Sequence, residues 1–203
     1  MEPFKNDDFD NKKISARYVN RFISLDSLEE FGKYNLFPNV KEVTESFGMY
    51  SAVTHNICCN DDNIDVNNQN VRVFVVGDGV TPRTAGLFAF MTKWECWSID
   101  PELRKKNYSG IRRLHTIHEK IEDWEPSRVK YHPDKKSKWN DKYNIILMPH
   151  SHADIEPTWE NLHNDKTWLI TMPCCVHHEL KQIPALEYTD YHIASEKNTI
   201  KVY

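Results

Sequence analysis

Nine consecutive residues, Val75-Val76-Gly77-Asp78-Gly79-Val80-Thr81-Pro82-Arg83, carry the first pattern in the chain with chemical meaning. Glycines two apart let a backbone bend tightly and pass close to a ligand, and the free N–H groups of a helix that follows receive a carboxylate or another polar group. The same pattern also serves as a plain strand-to-helix turn, so it needs company. Asp100 supplies it, 21 residues beyond Gly79. An acid near that distance accepts hydrogen bonds from ribose hydroxyls in nucleotide-binding folds, although before Pro101 it also has a simple use as a turn residue. Strand, glycines and acid together point to a nucleoside ligand touching Gly77, Asp78, Gly79, Thr81, Pro82, Arg83, Thr84 and Asp100. Arg83, at a helix start, either pairs with a ligand carboxylate or faces solvent.

Two further patterns follow later apolar runs. Met148-Pro149-His150-Ser151-His152-Ala153-Asp154 offers two imidazoles, which titrate near neutral pH and suit general base chemistry. Its plainer reading is a polar loop with surface histidines and Asp154 capping a helix. Pro173-Cys174-Cys175-Val176-His177-His178 gathers thiols and imidazoles. Zinc is the chemical competitor there, on Cys174, Cys175, His177 and His178, with His55, Cys58 and Cys59 as further donors. Zinc prefers Cys-x-x-Cys or His pairs three to five apart, and adjacent cysteines suit one ion poorly, so no metal is assigned. Buried thiols beside a strand are the blander outcome.

Each pattern needs a strand to hold it. Val71–Val76 is β-branched and bounded by glycine, and predicts a buried strand. Thr84–Thr92 predicts a helix with Pro82 in its first turn, and Trp94–Ile99 a second strand, which makes one right-handed crossover unit. Residues 109–123 have helical spacing through Ile111, Leu114, Ile117 and Ile121. Tyr143–Met148 and Thr167–Met172 predict strands, with a short helix over Ile155–Leu162 between them. Tyr188–Ser195 and Thr199–Tyr203 read as a hairpin turning at Glu196-Lys197-Asn198. Upstream, Ser27 and Glu30 fit a capping box for one helix, and a second runs from Asn39 through Val43, Phe47, Tyr50 and Thr54.

The predicted fold is α/β: a Rossmann-like, mostly parallel sheet with helices on both faces and a C-terminal antiparallel hairpin strand. Residues 1–70 form a helical extension packing on the core, and 71–203 the cofactor-binding domain. Ligands bind such sheets at the carboxyl ends of the strands, near the point where strand order reverses.

From Val71 onward, about two-thirds of the chain, the sequence resembles the class I S-adenosylmethionine-dependent methyltransferases. Gly77 and Gly79 match that family's glycine turn and Asp100 its ribose-binding acid. The resemblance implies S-adenosylmethionine as cofactor and the turn at Met148 and Pro149 as a contact for it. It also implies His150, His152 and Asp154 as candidates for positioning or deprotonating an acceptor. Phe47 and Tyr50 are candidate covers of the cofactor, though helical spacing places them equally well in a core. Pro173, Cys174, His177 and His178 are similar to an element of some RNA methyltransferase-like families and become candidate substrate contacts. Two departures stand out: Val75 replaces the acid that often opens the motif, and Thr81 replaces its third small residue.

Composition bounds the rest. A chain of 203 residues, 39% apolar and 28% charged, supports one substantial core. The net charge of −4 argues against a globally basic nucleic-acid binder. Pro101 to Tyr143, however, holds twelve Lys or Arg against seven Asp or Glu. That stretch, with Arg112 and Arg113, is either a solvated surface or an RNA-binding patch. No apolar run approaches the roughly 18 to 20 residues of a membrane span, and the start is acidic, so a cytoplasmic protein with reduced thiols is expected. The alternative function is a nucleoside-binding or assembly subunit that keeps the fold without the reaction.

Overall fold

The computed structural model describes residues 15–124, 142–175 and 180–203. The acidic start, positions 125–141 of the basic stretch, His177 and His178 lie outside these residues.

Seven strands form one sheet in the order β3-β2-β1-β4-β5-β7-β6: β1 (Val71–Val76), β2 (Glu95–Ile99), β3 (Leu114–Ile117), β4 (Tyr143–Pro149), β5 (Thr167–Met172), β6 (Leu186–Thr189) and β7 (Thr199–Val202). The first five are mutually parallel, and β7 runs antiparallel between β5 and β6. Sequence order reverses between β1 and β4, so the switch point lies at their carboxyl ends. A parallel strand at the centre of such a sheet is covered on both faces, which is why β1 is buried throughout and apolar except at Arg72, whose Nε donates to Asn144 Oδ1 at 3.1 Å. Its residues alternate between two cores. Val71, Val73 and Val75 face one, shared with α3 (Val40–Val53) and α4 (Arg83–Met91). Phe74 and Val76 face the other, shared with Ile155 and Leu162 of α5 (Ile155–Leu162). Helices therefore cover both faces, as expected.

Two short helices, α1 (Arg17–Ile23) and α2 (Leu28–Tyr34), precede α3. Asn39 caps α3 by accepting a hydrogen bond from the Glu42 N–H at 3.0 Å. Ser27 makes no such bond: its backbone is not extended, and the expected capping box does not form. Helix α3 is buried on all sides from Val43 to Val53, not along one stripe. No charged residue follows Glu45 until the loop after Cys58, which fits a helix enclosed all round. No helix among the described residues is long and apolar enough to cross a membrane.

Two expectations are corrected. Residues 109–123 are not helical; they hold β3 between turns, and Arg113 there has φ 66°. The spacing that resembled a helix arises because Leu114 dips into one core and Ile121 into the other, while Leu114–Ile117 pair with β2. The final hairpin is shorter than predicted, with β6 ending at Thr189. Asp190 stops it by taking the His192 N–H at 2.9 Å, a side-chain turn that competes with the ladder. Its other oxygen accepts the Tyr18 hydroxyl at 2.6 Å, tying α1 to the sheet's far edge.

Candidate functional site

At the end of β1 the chain bends through Gly77 (φ 75°) and Gly79 (φ 85°), both in the left-handed region. The Gly77 N–H donates to the Ile99 carbonyl at 2.9 Å, so the turn begins as an extension of the ladder. A Cβ on Gly77 would stand 2.9 Å from Cα of Ser151, in the turn after β4. Glycine is required there because two turns of the switch point touch.

Between the glycines, Asp78 is fully buried and turned away from the bend. Its carboxylate accepts the N–H groups of Thr84 at 2.9 Å and Ala85 at 3.1 Å, and the Ser98 hydroxyl at 2.9 Å. It holds the start of α4, where a negative charge is favoured. Burial pushes its pKa above the usual carboxylate value, against the opposing influence of Arg83 and these three donors.

Asp100 closes the other side. Its Oδ2 accepts the Gly79 N–H at 2.7 Å and its Oδ1 the Glu102 N–H at 2.8 Å. The acid thus clamps the glycine bend directly. An ionised carboxylate offers about four lone-pair sites. Two are therefore left untaken by donors among the described residues.

A cleft of about 400 Å³ opens at this point, within the range of cofactor sites. Gly77, Gly79, Arg83, Asp100, His150 and His152 all line it. Its other charged walls are Glu102, Glu119, Lys120 and Glu122, so four carboxylates stand against one Arg and one Lys, beside two imidazoles. Arg83 Nε lies 3.6 Å from Glu42 Oε2, and the guanidinium covers the face of Gly79.

His150 follows β4 with φ 51°, and its Nε2 approaches Glu45 Oε1 of α3 at 3.0 Å. The two atoms are close, without the alignment of a hydrogen bond. Lys41 also reaches Glu45, at 3.1 Å. Burial pushes the Glu45 carboxyl up, but His150 and then Lys41 outweigh it and hold its pKa below the usual 4.5. His150 Nδ1 is buried and has no hydrogen-bond partner among the described residues.

Glu45 makes a pH prediction. A depressed folded-state pKa contributes stability that is present above the unfolded pKa and is lost as pH falls through the folded value. Glu45→Gln should therefore cost about 1–3 kcal/mol at pH 7 and show a shallower loss of stability below about pH 4.5. Urea unfolding at neutral and acid pH checks this. Parallel acid limbs for the two proteins would show that the pair contributes nothing.

Other predicted site residues lie elsewhere. Phe47 and Tyr50 pack in the core, Phe47 against Tyr18 and Tyr50 against Phe88. Thr81 donates its hydroxyl to the Leu36 carbonyl at 2.6 Å, Thr84 pairs with Ser46 at 2.9 Å, and Pro82 occupies the N-cap of α4. These three brace the glycine turn from behind. Met148 is buried in the second core, and Pro149 is paired with Met172 in the sheet. Arg112 is exposed and Arg113 donates to the carbonyls of Ala89 and Thr92; both precede β3, at the end of the sheet opposite the cleft. Asp154 occupies the N-cap position of α5 without a side-chain capping bond, next to the cleft-lining Ala153. Pro173 and Cys174 follow β5, outside the cleft lining.

Glu42, Glu45, Glu102, Glu119, Lys120 and Glu122 were not singled out from sequence. The one available signal was Glu45, the last acid before a long uncharged helical stretch.

No family model matches the chain, and no curated protein sequence matches it. Among solved structures, a crystal structure of a glutamate-to-glutamine mutant of MtNAS aligns with 94% of this chain and 69% of that one, at 14% identity and a TM-score of 0.45. A likeness at that level says nothing of chemistry.

Proposed function

We propose that the chain binds S-adenosylmethionine in the cleft between the glycine bend and Asp100 and catalyses methyl transfer to an acceptor. The observation that carries this reading is the direct clamp of Gly79 by Asp100, at the switch point, on the wall of a cofactor-sized cleft.

The donor set fits such a ligand. Asp100 keeps lone pairs for ribose hydroxyls, and Gly79, with no side chain, lets the Arg83 guanidinium lie against the bend on the cleft wall. An acidic lining favours a ligand bearing a sulfonium and disfavours a pyrophosphate, which argues against a dinucleotide. Arg83 is the candidate partner for the amino-acid carboxylate of the ligand. Bound there, S-adenosylmethionine supplies a methyl group on a positively charged sulfur, a leaving group that needs no acid. The residues then have to orient the acceptor and take up its proton. His150, which lines the cleft, is the base, with Glu45 beside its Nε2 as the orienting carboxylate. His152 and Asp154 flank the opening.

For the acceptor, nucleic acid remains the reading that the basic stretch at 101–143 suggests. The acidic walls require its phosphates to stay outside the cleft while a base enters.

Calorimetry with S-adenosylmethionine, followed by labelled methyl transfer to total RNA, DNA and protein, tests the proposal. Binding with label in one pool is expected. Binding without transfer to any pool would favour the nucleoside-binding subunit instead, and absence of binding would remove both.

A further inference from the structure

Beside the cleft, the turns after β4 and β5 bring three metal-binding side chains together. The two strands are parallel neighbours with Pro149 opposite Met172, so the residues leaving them emerge side by side. Cys175 Sγ lies 3.4 Å from His152 Nε2 and 3.6 Å from Cys174 Sγ, and all three donor atoms lie within 4.8 Å of one another. Zinc–sulfur bonds of about 2.3 Å and zinc–nitrogen bonds of about 2.0–2.1 Å set the edges of a tetrahedral site at about 3.8 Å between sulfurs and about 3.5 Å between sulfur and nitrogen. The separations of 3.6 Å between sulfurs and 3.4 Å between sulfur and nitrogen are close to those edges.

Adjacency of the two cysteines argued against zinc at the level of sequence. In an extended strand, neighbouring side chains point to opposite faces and could not share an ion. Here β5 ends at Met172, before Pro173, and the sulfurs converge. Lys197 Nζ donates to the Cys174 carbonyl at 3.1 Å, which steadies this turn and places a positive charge beside the thiols.

We propose that His152 Nε2, Cys174 Sγ and Cys175 Sγ form a zinc site of the Cys₂His type, with a fourth position left for water or a ligand. Two thiolates and an imidazole suit zinc, whereas magnesium and calcium require oxygen donors. Binding releases the two thiol protons to solvent, and the thiolates balance the ion's charge. Because His152 also lines the cleft, the ion stands at its edge and fixes that wall. His152 is then a ligand, and the base role belongs to His150. Cys58 and Cys59 are not part of this cluster.

Nothing in this site depends on the cofactor reading, and S-adenosylmethionine calorimetry on the same samples keeps the two separable. The full chain, reduced and stripped of metal, is titrated with Zn²⁺ against a chromophoric chelator and with Co²⁺ in an absorption spectrum. One ion per chain and a thiolate-to-cobalt charge-transfer band are expected. His152→Ala, Cys174→Ser and Cys175→Ser should each weaken binding by at least about tenfold, while Cys59→Ser should not. Circular dichroism establishes that each variant is folded. A reduced, folded chain that takes up no zinc overturns the proposal, as does zinc uptake that survives all three substitutions.

Discussion

Replacing His150 with asparagine is expected to slow methyl transfer by about a hundredfold or more, and to leave S-adenosylmethionine affinity within about threefold. Asparagine is the informative choice because residue 150 has φ 51°, a conformation that asparagine tolerates better than most side chains. The substitution therefore keeps the turn while removing the imidazole proposed as base and leaving His152 in place. Glu45 keeps Lys41 as a partner at 3.1 Å, so the loss of His150 does not leave a buried carboxylate alone. Single-turnover rates with labelled cofactor, beside calorimetry, separate the two effects. An unchanged rate would place the proton acceptor elsewhere.

Asp100→Ala should weaken S-adenosylmethionine binding by about tenfold to a hundredfold, because hydrogen bonds to a charged acceptor contribute roughly 1.5–3 kcal/mol. Part of that loss would be indirect. Removing the carboxylate also releases the N–H groups of Gly79 and Glu102, so the glycine bend loses its clamp. Asp100→Asn distinguishes the contributions: one oxygen can still accept from Gly79 while the charge is lost. It should bind with an affinity between those of alanine and the native residue. Equal affinity in all three folded proteins would mean that the ribose is not held at this position.

Much of the fold was legible because central parallel strands announce themselves. Buried on both faces, β1, β4 and β5 are mostly apolar runs, interrupted at positions such as Arg72 and Asn144, which bond to each other across the sheet. β3 was hidden for the opposite reason. As a four-residue edge strand in which only Leu114 is buried, it contributes Leu114 and Ile117 at a spacing of three, which also fits a helix. The early end of β6 turns on Asp190, whose hydrogen bond to Tyr18 comes from the other end of the chain and leaves no local signature.

The site divides along the same line. Gly77, Gly79 and Asp100 were readable because a strand, its turn and the next strand's end are neighbours in any such crossover unit. The inward rotation of Asp78 was not, since it depends on Ser98 and the helix start being within reach. Glu45 reaches His150 only because α3 docks over the end of β4, a tertiary fact with no counterpart in residue spacing. Phe47 and Tyr50, two residues and five residues further along that helix, face the core instead. The approach of His152 to Cys175 follows from β4 and β5 being neighbours, and so was legible only once the strand order was known.

A crystal structure of the protein grown with S-adenosylmethionine tests the central claim most directly. Cofactor density is expected in the cleft, with ribose hydroxyls on the Asp100 carboxylate and the methionine end toward Arg83. Density at another place on the molecule, or an empty cleft at saturating cofactor, would contradict it.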